Sequence, residues 1–157
     1  MAVVAATDGS CHGNPGPGGW AWVTEDGREG GAAATDTTNN RMELRAVLEL
    51  LRALDRSEPV VIQTDSAYVM GAFTQWLEAW RRKGMRTSRN APVENRDLIE
   101  VIAQELDGRQ VRFEKVPGHA GHRLNELADA KAQQWARLAA RELSEQAKTR
   151  RRSSDAR

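Results

Sequence analysis

The sequence predicts an α/β fold: a five-stranded mixed sheet with helices on both faces. The first part of the chain holds three strand-like segments separated by glycine- and proline-rich turns, which is typical of antiparallel strands. The rest alternates amphipathic helical patterns with two further strand-like runs, which is typical of parallel βα units. These patterns together predict three antiparallel strands followed by parallel ones.

The three antiparallel strands are predicted from their turns. The first apolar run covers residues 3–8. The loop HGNPGPGG follows it, with glycines that permit positive φ and prolines that break strand pairing. The segment GWAWVTEDG then alternates and ends on Asp26-Gly27, which is a hairpin turn signal. The third strand returns over residues 28–34.

The later elements are predicted from apolar periodicity. A helix opens at Asn39, and its apolar residues recur at helical spacing to form a single stripe. The apolar run 60–64 is typical of a buried parallel strand. The other predicted elements are helices over residues 67–83, 96–106 and 124–141 and a fifth strand over residues 110–116.

We expect one domain over residues 1–142 and a basic, disordered tail over residues 143–157. No apolar run approaches the ~20 residues that cross a bilayer, so no membrane contact is expected. Met1 is followed at once by the first strand, which leaves no room for a secretion signal. The single cysteine, Cys11, excludes an internal disulfide and favours a reducing compartment. A cytoplasmic protein is therefore predicted.

Positive charge is concentrated in two segments. Residues 81–96 and 148–157 hold 11 of the 23 basic residues and two of the 22 acids, so the rest carries 12 basic and 20 acidic residues. A basic patch on an acidic body is typical of a docking surface for a polyanion, and we favour that interpretation for residues 81–96. The tail is interpreted as a solubilising segment.

Two apolar strands end on Thr-Asp, and this repetition predicts a metal site. Asp8 and Asp65 would face each other if their strands are neighbours, because sites form at the carboxyl edge of such sheets. Glu43 and Asp129 lie on helices that could bring them to the same edge. Carboxylates held together repel one another unless a cation is bound, and hard oxygen ligands suit Mg²⁺. By pattern alone, acids that simply cap strands or helices at the surface remain an equal alternative.

The chain resembles the type 1 ribonuclease H family, bacterial enzymes that cut the RNA strand of RNA–DNA hybrids. The motifs that carry the resemblance keep their order and spacing over about residues 3–140. They are TDGSCHGNPGPGGW, TTNNRMEL, TDSAYV, TQWLEAWRRKGMRT, PVENRDL and GHAGHRLNELAD.

The resemblance implies the ribonuclease H-like fold and a set of catalytic residues. By motif, the metal-binding carboxylates fall on Asp8, Glu43, Asp65 and Asp129, and the catalytic histidine, which assists proton movement or product release, falls on His119. The implied cofactor is Mg²⁺, with Mn²⁺ as a substitute and two ions present when substrate is bound. The implied reaction is hydrolysis of RNA that leaves 3′-hydroxyl and 5′-phosphate ends.

The resemblance also implies an RNA–DNA hybrid as partner and the residues that contact it. Asparagines in the minor groove would distinguish RNA by its 2′-hydroxyl, a polar pocket would hold a DNA phosphate, and two tryptophans would shape a DNA channel. These residues are Asn14, Asn39 and Asn40 for the groove, Thr38 and Asn95 for the pocket, and Trp76 and Trp80 for the channel.

The chain departs from the family at three positions: many relatives carry Gln at Ala67, some carry Arg at Asp36, and an aromatic residue often stands at Met85. These departures concern substrate affinity and not the catalytic positions. The alternatives are a non-catalytic hybrid-binding module and another nuclease of the same fold. A zinc site is not favoured, because the sequence has one cysteine and no CxxC pair. We expect a monomer.

Overall fold

The computed structural model describes residues 2–118 and 121–155, and it arranges five strands in one sheet in the order β3-β2-β1-β4-β5. The strands are β1 (Val3–Cys11), β2 (Gly16–Thr24), β3 (Glu29–Thr37), β4 (Val60–Thr64) and β5 (Val111–Lys115). The helices are α1 (Asn39–Ala53), α2 (Ala67–Gly71), α3 (Leu77–Arg82), α4 (Arg96–Leu106) and α5 (Arg123–Asp155), with a π-helical turn (Ala72–Trp76) between α2 and α3.

The sheet has the mixed pairing that the sequence predicts. β1 pairs antiparallel with β2, and β2 pairs antiparallel with β3. β4 joins the other side of β1 in parallel, and β5 joins β4 in parallel. β1 is therefore the central strand, and the predicted fold class is confirmed.

Helices cover both faces of the sheet because neighbouring residues of a strand point to opposite sides. On β1, Ala5 belongs to the large core cluster formed with α1 and α4, whereas Ala6 packs with Ala128 of α5. On β2, Trp22 belongs to the large cluster, and Val23 packs with Ala6 and Ala128. The two apolar layers hold α1 and α5 in fixed positions relative to β1.

Helix α5 lies close against the sheet because small residues line the contact. Ala128, Ala132, Ala136 and Ala139 are its fully buried apolar residues. A Cβ on Gly19 of β2 would lie 2.4 Å from the Trp135 Cβ, so glycine is required there. α5 is thereby anchored along its first half.

The C-terminal segment differs from the disordered tail predicted for residues 143–157. The structure continues α5 as a helix to Asp155, although residues 144–155 are all exposed. Residues 122–157 contain neither glycine nor proline. Since α5 is already nucleated on the sheet, each further residue adds a hydrogen bond without the cost of starting a new helix. A basic helical extension thus replaces the expected disordered segment.

None of the helices in the described ranges is long and apolar enough to cross a membrane.

Candidate active site

The register between β1 and β4 brings Asp8 and Asp65 together. The parallel ladder pairs Ala6 with Gln63, and each aspartate follows two residues later in its own segment. Asp65 directly follows β4, as predicted. Asp8 lies inside β1, because β1 continues to Cys11 by pairing with β2.

Glu43 reaches this pair because Gly9 allows α1 to touch β1. A Cβ on Gly9 would lie 2.4 Å from the Glu43 backbone nitrogen, closer than any side chain permits. Glu43 and Asp8 are each 4 % exposed. One carboxylate oxygen from each of Asp8, Glu43 and Asp65 lies within 4.8 Å of the other two.

Asp129 of α5 completes the group of four carboxylates. It lies beside Asp8, within hydrogen-bonding reach of that carboxyl group. Gln133 Nε2, one turn later on α5, donates to both Asp129 oxygens at 3.2 and 3.1 Å. The anchored first half of α5 thus supplies both an acid and the amide that orients it.

Crowding and burial change the ionisation of the two most enclosed acids. Burial, followed by the negative charge of Glu43, raises the pKa of Asp8 from its ordinary value of 3.8 to about 11. Burial also raises the pKa of Glu43. Without a cation, therefore, Asp8 keeps its proton at neutral pH.

The donor set fits a hard divalent cation. Glu43 Oε2 is buried and has no hydrogen-bond partner among the described residues, and such an oxygen is costly to bury without a partner. The site presents carboxylate oxygens from four elements, which are the ligands that Mg²⁺ and Mn²⁺ take. A bound cation would satisfy this oxygen and offset the repulsion.

Asn125 and Gly118 lie against Asp65 from two further segments. Asn125 is 2 % exposed, and its Nδ2 is 3.4 Å from Asp65 Oδ2. A Cβ on Gly118 would lie 3.2 Å from the same oxygen. The backbone that leads into residue 119 therefore passes beside the carboxylates, whereas His119 itself, the predicted catalytic histidine, lies outside the described residues.

The predicted minor-groove asparagines lie near the start of α1. The Asn39 backbone N–H donates to Asn14 Oδ1 at 3.0 Å, which ties the β1–β2 loop to the helix. Asn39 and Asn14 are exposed, and Asn40 is half-buried. The side-chain amides of Asn14 and Asn39 therefore lie at the surface. On α1, Asn39 and Asn40 stand only four and three residues before Glu43.

Thr38 and Asn95, predicted to hold a DNA phosphate, are joined through Arg41. Thr38 caps α1 by accepting from the Arg41 backbone N–H at 3.2 Å. Asn95 Oδ1 accepts from Arg41 Nη1 at 3.2 Å, and the same guanidinium pairs with Asp97 at 2.8 Å. Tyr68 fixes the other end of Asn95 by accepting from its Nδ2 at 3.2 Å. The hydrogen bonds thus link Thr38, Asn95 and Tyr68 through Arg41 into one polar group.

Trp76 and Trp80 lie together on the helical stretch that leads to the basic segment. Their ring centroids are 5.9 Å apart. Trp80 packs on the main core, whereas Trp76 is 41 % exposed. A Cβ on Gly71 would lie 2.3 Å from the Trp76 ring, so this glycine makes room for the indole. The segment thus presents one aromatic face to solvent.

Three residues near the site were missed from the sequence, although the motifs contain two of them. Arg41 stands in NNRMEL, and Asn125 stands in the last motif, LNELAD. Gln133 is signalled by its position one helical turn after Asp129. Of the three noted departures, Met85 is buried, whereas Asp36 and Ala67 are exposed.

Comparison with known proteins agrees with the resemblance seen in the motifs. The family model described as RNase H matches residues 1–137. A protein named ribonuclease H from Halorhodospira halophila is 50 % identical over 135 residues, which cover 84 % of this chain and 91 % of the relative. The ribonuclease H of Thermus thermophilus is 47 % identical over 145 residues, with 88 % and 86 % covered.

Solved structures show the same fold. The crystal structure of LC9-RNase H1, described as a type 1 RNase H with the type 2 active-site motif, superposes with a TM-score of 0.75 at 34 % identity and covers 87 % of this chain and 73 % of that one. A foamy viral protease-reverse transcriptase in complex with RNA/DNA hybrid gives a TM-score of 0.74 at 25 % identity, covering 86 % of this chain and 20 % of that one. This chain therefore belongs to the ribonuclease H family and is an enzyme of that class, an endonuclease that hydrolyses the RNA of RNA–DNA hybrids.

Proposed function

We propose that this enzyme cleaves the RNA strand by two-metal-ion catalysis and leaves 3′-hydroxyl and 5′-phosphate ends. The observation that supports this most strongly is the group of carboxylates at the centre of the sheet, where oxygens of Asp8, Glu43 and Asp65 lie within 4.8 Å of one another. Two Mg²⁺ ions, or Mn²⁺ in their place, would supply Lewis-acid activation of water and neutralise the charge on the leaving oxygen.

The four acids would divide the work of holding and orienting these ions. Asp8 is rigid because it lies inside a strand paired on one side with β2. Asp65 and Asp129 are less enclosed and are oriented by the amides of Asn125 and Gln133. Both residues are half-buried, so a phosphodiester would reach their carboxylates more readily than those of the buried Asp8 and Glu43. His119 would assist proton movement or product release, and the contact between Gly118 and Asp65 supports a place beside the carboxylates.

Recognition of the hybrid would depend on the surfaces that surround the acids. The exposed amides of Asn14 and Asn39, with Asn40, would contact the 2′-hydroxyls that distinguish RNA from DNA. Thr38 and Asn95 would hold a phosphate of the DNA strand, and the Trp76 face would stack against the DNA sugar-phosphate chain.

Two further expectations belong to this proposal. A monomer is supported because Trp76 and Leu127 are the exposed large apolar side chains of the described part of the chain, and they do not form a broad apolar patch. A cytoplasmic location is supported by the single cysteine, which is typical of a reducing compartment.

The test uses one labelled RNA strand annealed to DNA, annealed to RNA, or left single, with Mg²⁺, Mn²⁺ or EDTA. We expect cleavage of the RNA–DNA hybrid alone, and only with a metal. A DNA polymerase should extend the products, because extension requires a free 3′-hydroxyl. Asp65→Asn should lower the rate by about 10²–10³-fold, since one ligand of the cation site is lost. The matched control is Glu142→Gln, a change of the same size at an exposed acid on α5.

The same assay also tests the non-catalytic hybrid-binding module that the sequence left as an alternative, which conflicts with the membership of this chain in the ribonuclease H enzymes. Equal binding with and without metal, together with no cleavage, would favour that module. Cleavage of RNA–RNA duplexes or single strands at the same rate would instead favour another nuclease of this fold.

A further inference from the structure

The basic extension of α5 is not accounted for by the proposed active site. The last buried residue of this helix is Ala139, and the helix continues to Asp155. Beyond Leu143 every described residue is exposed. About 24 Å of helix, at 1.5 Å per residue, therefore extends past the last buried position.

Five cations of this helix lie on one side of it. At 100° per residue, they fall within an arc of about 100° around the helix axis. Glu142 and Arg150 lie off this arc, whereas Glu145 lies at its edge and Asp155 lies within it at the end of the helix. We call this surface the α5 basic stripe, and its members are Arg137, Arg141, Lys148, Arg151 and Arg152.

The charge of the stripe is available to a ligand. Lys148 Nζ is 3.6 Å from a Glu145 oxygen, but both side chains are well exposed, so this pair is weak and exchanges readily with other anions. Arg137 and Arg141 are also exposed. With Glu145 at the edge of the arc and Asp155 within it, the five cations still leave a net charge of about +3, which is an electrostatic footprint for a polyanion.

The stripe begins beside the loop that carries Asn14. His12 lines a shallow cleft together with Arg137, Ala140 and Arg141. His12 is two residues before Asn14, whose side chain holds the start of α1. The stripe thus starts at the proposed substrate surface and leads away from the body of the domain.

We propose that the α5 basic stripe binds the sugar-phosphate backbone of a nucleic-acid duplex beyond the segment held at the active site. This proposal rests on the proposed function for the identity of the duplex, an RNA–DNA hybrid. From Arg137 to Arg152 the stripe covers about 22 Å, enough to face several phosphates spaced about 3.4 Å apart along one strand. The stripe would thereby strengthen binding to long hybrids without contacting the cleaved bond.

A membrane surface fits the extension less well. A helix that lies on lipid needs a continuous apolar face opposite its basic face. Between residues 144 and 155 the nonpolar residue is Ala147, and the others are polar or charged. A nucleic-acid backbone requires no apolar face and is therefore the favoured ligand.

The test compares the wild type with two variants of equal net charge. The stripe variant carries Lys148→Gln, Arg151→Gln and Arg152→Gln. The control variant carries Arg52→Gln, Arg112→Gln and Arg150→Gln, which remove three exposed cations that lie off the stripe. Glutamine is a good helix former, and circular dichroism at 222 nm verifies that α5 is retained.

Binding is measured by fluorescence anisotropy on a 30-bp and a 10-bp hybrid, in EDTA and over a range of salt. For the 30-bp hybrid, the stripe variant should bind about tenfold more weakly at 50 mM salt, with a slope of log K against log salt reduced by about 2 to 3. The control variant should match the wild type. Cleavage of the 10-bp hybrid with Mg²⁺ should be the same for all three proteins.

The outcomes separate this proposal from the proposed function. Equal salt slopes in all three proteins, or equal losses of affinity for the 30-bp hybrid in both variants, contradict the proposed binding by the stripe. Loss of binding to phosphatidylglycerol vesicles with hybrid binding unchanged also overturns it, in favour of a membrane. A wild type that cleaves no hybrid overturns the proposed function instead, while the salt slopes in EDTA still decide whether the stripe binds a duplex.

Discussion

Replacing Asp8 by asparagine should stabilise the metal-free protein while it removes activity. Asp8 is 4 % exposed and lies against Glu43, so its charged form is costly in the folded state. Asparagine has nearly the same shape and carries no charge at any pH. Its amide can also donate to Glu43, as the proton held by Asp8 does in the wild type.

The stability that Asp8→Asn should gain follows from the difference between the pKa of Asp8 in the folded and unfolded states. The pKa of Asp8 is raised from 3.8 to about 11, so between these values the folded state holds a proton that the unfolded state releases. Stability due to this group therefore falls as pH rises above 3.8, by about 1.4 kcal/mol for each pH unit. At pH 7 the largest destabilisation that the Asp8 carboxyl group could cause is therefore about 4 kcal/mol. We expect about 1–3 kcal/mol, because local rearrangement and hydration relieve part of the cost.

The assay is urea unfolding of wild type and Asp8→Asn in EDTA at pH 4, 5.5 and 7. The variant should gain stability relative to wild type as pH rises, and the two should converge at pH 4. For a domain of this size the gain at pH 7 corresponds to a rise in Tm of about 3–10 °C. Adding Mg²⁺ should narrow the difference, because a cation bound to the wild-type acids stabilises the folded state.

Glu142→Gln serves as the matched control. It removes one carboxylate from an exposed position on α5, and its effect should stay within about 0.5 kcal/mol at every pH. The reasoning would be refuted by an Asp8→Asn protein that is no more stable than wild type at pH 7, or by a gain that is equally large at pH 4.

Three other substitutions test the surroundings of the acids. Gly9→Ala should destabilise the protein by about 1–3 kcal/mol in urea and abolish cleavage, because the new Cβ pushes the Glu43 backbone away from β1; normal activity would contradict the role of this contact. Trp76→Ala should raise KM for hybrid with little change in kcat, since the exposed indole would only bind, and Trp76→Phe should retain most of the affinity. Arg41→Ala should weaken hybrid binding more than Arg41→Lys by releasing Asn95, and equal effects of the two would argue against a geometric role for the guanidinium.

The sequence predicted the centre of this fold well because apolar runs and turns are local signals. The run from Val60 to Thr64 and the helix from Arg96 to Leu106 have the bounds that their periodicity indicated. The approach of Asp8 to Asp65 followed from the same runs, since two neighbouring parallel strands in register must bring their ends together. The placement of these two acids needed no long-range information beyond the pairing itself.

What could not be predicted depends on partners distant in the sequence. β1 continues past Asp8 because Gly18 and Gly19 pair with its last residues, although glycine does not favour strands. Arg41 is oriented by Asp97, 56 residues later, and no periodicity reports such a pair. The length of α5 was missed for a different reason, because basic composition suggested disorder while the absence of glycine and proline allowed an existing helix to continue.

The two glycine contacts show how the fold enforces an electrostatic arrangement that it would otherwise resist. Four carboxylates approach one point only because Gly9 and Gly19 let α1 and α5 lie directly on the sheet, and the core clusters on both faces hold them there. The packing of Leu44, Val47 and Leu48 of α1 therefore opposes the repulsion between the acids.

A protein that folds around protons at this site must release them when a cation binds, because the ligand oxygens must be ionised. The affinity for a cation should consequently rise with pH over the range in which the metal-free protein loses stability. Isothermal titration calorimetry with Mg²⁺ at pH 6, 7 and 8 measures this affinity. An affinity independent of pH over this range would mean that the acids are already ionised in the folded protein below pH 6, and the stabilising effect expected of Asp8→Asn would then stop increasing above that pH.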